Sequence, residues 1–221
     1  MAIAFVQSRS TRASAVTTLS LAYNSAVTAG NLLVCCATGF KASTFTINTP
    51  SDDNTNTWTR NRLSAYANSL RLSVSSAPNA NSGITTVTVT TDVTADLALI
   101  ILEYSGAATS GPFDVGNDAS GSSTTVDSGN INTSGDDVVV GCMSHSGATA
   151  VIDPGVTYTQ REENEDAAGQ VYNVEDKIVT SGTYSANWTL AGARNYNAIV
   201  GSYRVAGDAP DQKRIYVAVM G

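Results

Sequence analysis

One histidine, three cysteines and nineteen acids are the residues in this 221-residue sequence best able to do chemistry. His145 stands in "CMSHSG" between Ser144 and Ser146. A Ser–His–acid arrangement needs that imidazole bonded to a serine and oriented by a carboxylate. Neighbours along a strand point to opposite faces, so neither flanking serine is placed for attack. No Gly-x-Ser-x-Gly elbow is present. His145 therefore reads as a strand-end or loop residue without a catalytic role. Cys35 and Cys36 are adjacent and point apart on a strand, so they do not bridge each other. Two readings stand: three buried free thiols, or one bridge to Cys142 that leaves an odd cysteine. Neither is a disulfide framework, and one histidine with scattered cysteines excludes a structural zinc cluster.

The acids offer two loop clusters. "PSDDNTN" carries Asp52, Asp53 and Asn54, and "REENED" carries Glu162, Glu163, Asn164, Glu165 and Asp166. Calcium takes oxygen ligands of this kind, yet neither stretch has the spacing of an EF-hand loop. Both read as solvated acidic loops, and no cofactor or metal site is expected. Glycoside hydrolysis needs two carboxylates at a set separation, and no pair here is marked by spacing. Glu103, alone in an apolar strand, is expected at a strand-end rim. Trp58, Tyr158 and Trp188 are the aromatics a glycan would stack on, but each occupies a position that reads as core.

The elements that would carry these residues are strands. "GITTVTVTT" alternates, with Ile84, Thr86, Thr88 and Thr90 on one face and Thr85, Val87 and Val89 on the other. "GNLLVCCATG" and "GDDVVVGCMSHSG" are short apolar runs suited to strands buried on both faces. "TRNRLSAYANSLRL", Thr59 to Leu72, has ambiguous spacing and is read as mostly strand. Gly- and Asn-rich turns separate these runs.

The chain also repeats itself. "LIILEYSG" before Gly106 returns as "AIVGSYRVAG", placing Tyr104 and Tyr203 99 apart (203 − 104). "AGNLLVCC" resembles "SGDDVVVGC", "NTWTR" resembles "VTYTQR", and "SGITTVTVT" resembles "SGTYSANWT". Blocks recurring in one order indicate an internal duplication, with halves of about 16–106 and 122–206. Stacking two similar halves buries both apolar faces. The expected fold is all-β: one antiparallel double-sheet sandwich of jelly-roll type spanning 1–205, with two tandem immunoglobulin-like sandwiches as the alternative. Tyr104 and Tyr203 end matching strands and are expected as buried rings with hydroxyls bonded to backbone. "SGAATSGPFDVGNDASGSS" reads as a crossover loop or linker, pinned by Phe113 and Val115.

Composition narrows the function classes. Charged residues are 14% and net charge is −7, which argues against a nucleic-acid backbone or an anionic membrane as partner. "MAIAFVQSRSTR" lacks the pattern of a signal peptide, and a soluble product made in a cytoplasm is expected. Residues 206–221 fall outside the repeat. There "GDAPDQ" is linker-like and "KRIYVAVMG" is strand-like, with Ile215, Val217 and Val219 on one side and Tyr216, Ala218 and Met220 on the other. An unpaired terminal strand is a liability unless it completes a sheet, its own or a neighbouring subunit's. Ile215, Tyr216, Val217, Ala218, Val219 and Met220 are therefore the expected assembly residues.

Together, "AGNLLVCC", "NTWTR", "SGITTVTVT", "LIILEYSG", "STTVDSG", "SGDDVVVG" and "SGTYSANWTL" resemble a recurrent β-rich module of tailed-bacteriophage virion proteins and bacterial surface proteins. The resemblance covers Ala15 to Ala206 and rests on the order of the motifs. It implies a β-sandwich in a virion or extracellular setting and transfers no catalytic residue. The expectation is a non-enzymatic virion protein: a capsid decoration or cement protein, or a head or tail accessory. Its partners would be copies of itself and other virion proteins. A glycan- or receptor-binding module is the alternative.

Overall fold

The computed structural model describes residues 2–67, 69–147, 152–155, 157–164 and 170–207, the side chains of 152–154 and 170 excepted. Within them the protein is all-β and antiparallel, with two sheets in a sandwich-like arrangement. The first sheet comprises β1 (Ala4–Ala22), β2 (Leu32–Phe40), β3 (Ser51–Asp52), β4 (Thr59–Tyr66), β5 (Leu70–Ala77) and β6 (Thr86–Ser105). Its order is β1-β6-β2-β5-β4, with β3 added to the start of β6. The ambiguous stretch from Thr59 is thus the hairpin β4–β5, not a helix.

The second sheet repeats the first. It comprises β7 (Phe113–Asp127), β9 (Asp137–Ser146), β10 (Ile152–Pro154), β11 (Thr159–Asn164), β12 (Gln170–Val179) and β14 (Asn187–Arg204). β14 lies between β7 and β9, followed by β12 and β11, and β10 adds to the start of β14. A two-stranded ribbon, β8 (Ile131–Thr133) with β13 (Gly182–Tyr184), matches the single bridge Val27–Gly83 of the first half. Even the irregularities recur: β4 bulges between Arg60 and Arg62, and β11 between Gln160 and Glu162.

The duplication reaches further upstream than its sequence blocks mark. Phe5 of β1 pairs with Tyr104, and Phe113 of β7 pairs with Tyr203. The stretch expected as a crossover loop or linker is therefore mostly β7, the counterpart of β1. Both are edge strands rich in Ser and Thr, and the added Gly116 and Gly121 of β7 make it mimic a loop in sequence.

Strand chemistry explains the packing. β2 is buried from Leu32 to Gly39 and β9 from Asp137 to His145, as apolar runs at the centre of a sheet must be. One face of each run meets the other half. Leu32, Val34, Cys36, Val74, Ile100 and Leu102 share a core with Val138, Val140, Cys142, Val174 and Ile199. The opposite faces build a private core in each half, around Val87, Leu99 and Phe45 in one and Val139, Met143 and Trp188 in the other.

Cys36 pairs with Ile100 and Cys142 with Ile199, so the two cysteines are equivalent positions of the repeat. They meet across the shared core in a disulfide, while Cys35, facing the private core, stays free and buried. Three free thiols, one of the two expected readings, is thereby corrected: alternation sends Cys36 towards its own counterpart and Cys35 away from it.

Candidate functional site

The shared core has approximate twofold symmetry, and its seams show it. Leu32 pairs with Tyr104 and Val138 with Tyr203. Each tyrosine packs edge-on against the matching phenylalanine: Phe5–Tyr104 at 5.9 Å and Phe113–Tyr203 at 5.7 Å. Each then reaches into the other half. The Tyr104 hydroxyl donates to Asp176 Oδ2 at 2.6 Å, and Asp176 also pairs with Arg161 at 2.9 Å. Arg161 lies 3.8 Å over the Phe5 ring. The Tyr203 hydroxyl donates to Asn61 Oδ1 at 3.1 Å, and Asn61 is the bulge residue that matches Arg161. The expected backbone partners of Tyr104 and Tyr203 are therefore replaced by side chains across the seam. Burial, then the Asp176 carboxylate, holds the Tyr104 hydroxyl well above its ordinary range.

The sheet edges are stitched with the same reciprocity. On one side Arg62 of β4 donates to the Gly116 carbonyl of β7 and stands 3.7 Å from Asp118. On the other, Glu162 of β11 accepts from Ser8 at 2.6 Å and Ser10 at 2.7 Å, both on β1. Ser8 and Ser10 occupy the β1 positions that match Gly116 and Asp118. Each seam thus uses the same geometry with different charges.

Three buried carboxylates remain. Glu103 is fully buried on β6 and does not sit at a rim. It accepts from Gln7 Nε2 at 2.5 Å, Asn31 Nδ2 at 2.6 Å and the Thr28 amide at 2.9 Å. These bonds tie β1 and the entry to β2 onto β6. The second half carries Ser202 and Asp137 where the first carries Glu103 and Asn31. Burial, then the adjacent Asp114 carboxylate, pushes the Asp137 carboxyl up to about 7. Arg204, paired with Asp114, acts against this. Glu175 on β12 replaces Ser75 and faces the private core, where the Gly155 amide donates to it at 3.0 Å. Burial pushes its carboxyl up to about 8, against that amide and with a further upward contribution from Asp176.

None of these groups faces a nucleophile and base in the way bond-breaking needs. His145 is buried on β9, its Nδ1 3.3 Å from the Ser146 carbonyl. Asp52 accepts from the amides of Asn54 and Asn56 and from Trp58 Nε1 at 2.6 Å, which organises its turn. Asp53 accepts from the Thr86 amide, and this bond lowers its pKa. Glu165 and Asp166 lie outside the described residues. Among those described, no group of three His, Cys, Asp or Glu is placed to hold a metal. Trp188 is buried with Nε1 donating to Asn173 Oδ1 at 2.9 Å, and Trp58 and Tyr158 pack against the private cores. Trp188 is a core residue as read, whereas Trp58 and Tyr158 are partly buried and cover the edges of the private cores.

One depression that opens to solvent, of about 380 Å³, is lined by Ala2, Ile3, Asp136, Lys177–Thr180, Tyr184 and Val205. It sits at the mouth of the shared core, to which Ile3 belongs and against which Val205 packs. Gly106 closes β6 beside it in the left-handed region, φ 75°, with the Ala2 carbonyl 2.3 Å from where a Cβ would stand, so only glycine fits. Ile178 is 58% exposed. Lys177 is held back by the Tyr158 and Tyr184 rings, 5.8 and 5.7 Å from its Nζ, and by Thr157 Oγ1 at 2.8 Å. Sequence reasoning missed this site, because Ile178 reads as one more apolar strand residue. The expected assembly residues Ile215, Tyr216, Val217, Ala218, Val219 and Met220 lie outside the described residues.

No family model matches the chain, and no curated protein or solved structure is detectably similar to it.

Proposed function

We propose that this chain is a non-enzymatic structural protein of a bacteriophage virion, a capsid decoration or cement protein or a head or tail accessory. It acts by assembling with copies of itself and with other virion proteins. The observation that carries the reading is the apolar depression around Ile178. It lies beside the shared core and the second half's private core, where residues 2 and 3 and the end of β14 converge. Covering Ile178 and its aliphatic neighbours with a partner's side chains would be favourable, and this supports the reading. The interior supports the same reading, since its buried polar groups tie strands and halves together. A glycan-binding role gains nothing from the tryptophans, which are turned into the cores. Mechanistically, burial of apolar surface between subunits stabilises a particle by mass action.

The test is assembly state by mass photometry, for the full chain beside a version ending at Gly207, with binding of each to purified virus particles. The reading expects a defined oligomer or particle binding that is lost on truncation. A full chain that stays monomeric and ignores the particles overturns it.

A further inference from the structure

We propose that the Ile178 depression is the acceptor for the C-terminal strand, Arg214–Met220, of a second copy of this chain. This rests on the assembly reading above and names its occupant. The acceptor has three properties. First, its backbone edge is open: β11 pairs with β12 from Tyr172 to Asp176, whereas β9 pairs with β12 through Val179. Among the described residues, Lys177–Val179 is therefore laddered on one side, and a strand can add to the other. Second, the lining is mostly aliphatic, from Ala2, Ile3, Ile178, Val179 and Val205, which suits the row Ile215, Val217 and Val219 on one face of that strand. Third, the lining carries one acid, Asp136, beside the cation Lys177, whose Nζ is engaged by Thr157 and the Tyr158 and Tyr184 rings. Asp136 can therefore pair with Arg214 of the segment or with Lys213 just before it.

The position of the chain's exit favours a neighbour over the chain's own tail. Val205 is part of the lining, so the chain leaves from within the depression. A return would have to complete, before Arg214, the reversal begun by the Ala206–Gly207 turn, against the bias of Pro210 towards an extended residue before it. A strand from a second copy needs no reversal, and reciprocal exchange closes both depressions at once.

The experiment uses a labelled synthetic peptide, residues 212–221, titrated into the chain ending at Gly207 and followed by fluorescence anisotropy. The proposal expects saturable binding, weakened roughly tenfold or more by Ile178→Asp. Ile84→Asp, at a 71% exposed residue of the other half, is expected to leave binding unchanged. Equal melting temperatures establish that the variants are folded. Should Ile178→Asp fail to fold, hydrogen exchange of the Lys177–Thr180 amides in the unsubstituted chain, with and without peptide, gives the same answer. Protection supports the site and no protection overturns it. An oligomeric full chain whose truncated form does not bind the peptide overturns this inference and leaves the assembly reading standing. A monomeric full chain with protected Lys177–Thr180 amides places the tail in its own depression and overturns this inference, while the assembly reading then rests on particle binding.

Discussion

Tyr104 and Tyr203 occupy one position of the repeat and carry different loads. Tyr104 bonds to a buried carboxylate held by Arg161, whereas Tyr203 bonds to a neutral amide. Hydrogen bonds to charged groups contribute more, and stranding a buried carboxylate costs its desolvation. Tyr104→Phe is expected to lower stability by about 2 kcal/mol and Tyr203→Phe by about 1 kcal/mol, read from urea unfolding. Equal losses would contradict the asymmetry. Glu175 and Asp137 give the molecule a pH dependence. Both folded values, about 8 and about 7, lie above the values 4.5 and 3.8 of the free groups. The folded state therefore keeps protons that the unfolded chain has released, and stability falls as pH rises through those folded values. Glu175→Gln, which keeps an acceptor for the Gly155 amide, is expected to flatten the fall between pH 6 and pH 9 by about 2 kcal/mol. An unchanged profile would show that Glu175 is ionised throughout. At this scale the sequence was only partly legible. Glu103 stood out as a carboxylate in an apolar strand, but its partners Gln7, Thr28 and Asn31 come from distant positions that only the folded register brings together.

At the scale of elements the strands follow from pattern. The apolar runs of β2 and β9 and the alternation of Val87 and Val89 in β6 were readable, because burial on two faces or one leaves a direct trace in residue type. The edge strand β7 was not readable, because an edge needs little apolar content and its Ser and Gly residues look like linker. The two halves also trade volume. Trp188 stands where the first half has Val89, and Gly141 stands where it has Cys35. A Cβ on Gly141 would lie 2.5 Å from the Ala186 Cβ and 3.3 Å from the Trp188 ring. Gly141→Ala is expected to cost about 1–3 kcal/mol in thermal or urea unfolding, and a neutral result would mean that Ala186, the nearest obstacle, moves aside freely. The Cys36–Cys142 link joins central strands of both sheets across 106 residues of sequence. One alkylatable thiol, Cys35, is expected in the denatured, unreduced protein, and three after reduction. Cys36→Ser is expected to cost about 4–5 kcal/mol by the chain-entropy account for so long a loop. Three thiols without reduction would contradict the link.

At the scale of the whole molecule the two halves meet as the subunits of a twofold dimer do, each contact answered by an equivalent one. Divergence has made the seams unlike: Arg62 faces Asp118 on one side, and Glu162 faces Ser8 and Ser10 on the other. Such mismatch favours pairing of unlike halves over pairing of like ones, and an apolar mouth at Ile178 lies open to solvent. The duplication was legible in ordered motif blocks. The mouth was not, because it arises where Ile3, Ile178 and Val205, far apart in sequence, fall together at the rim of the shared core. The most direct test of this account is the mass of the full chain in solution beside the chain ending at Gly207. An oligomer for the full chain and a monomer for the truncated one is the predicted result. A monomer for both at every concentration measured would contradict the strand exchange, and no binding of the full chain to particles besides would contradict the account.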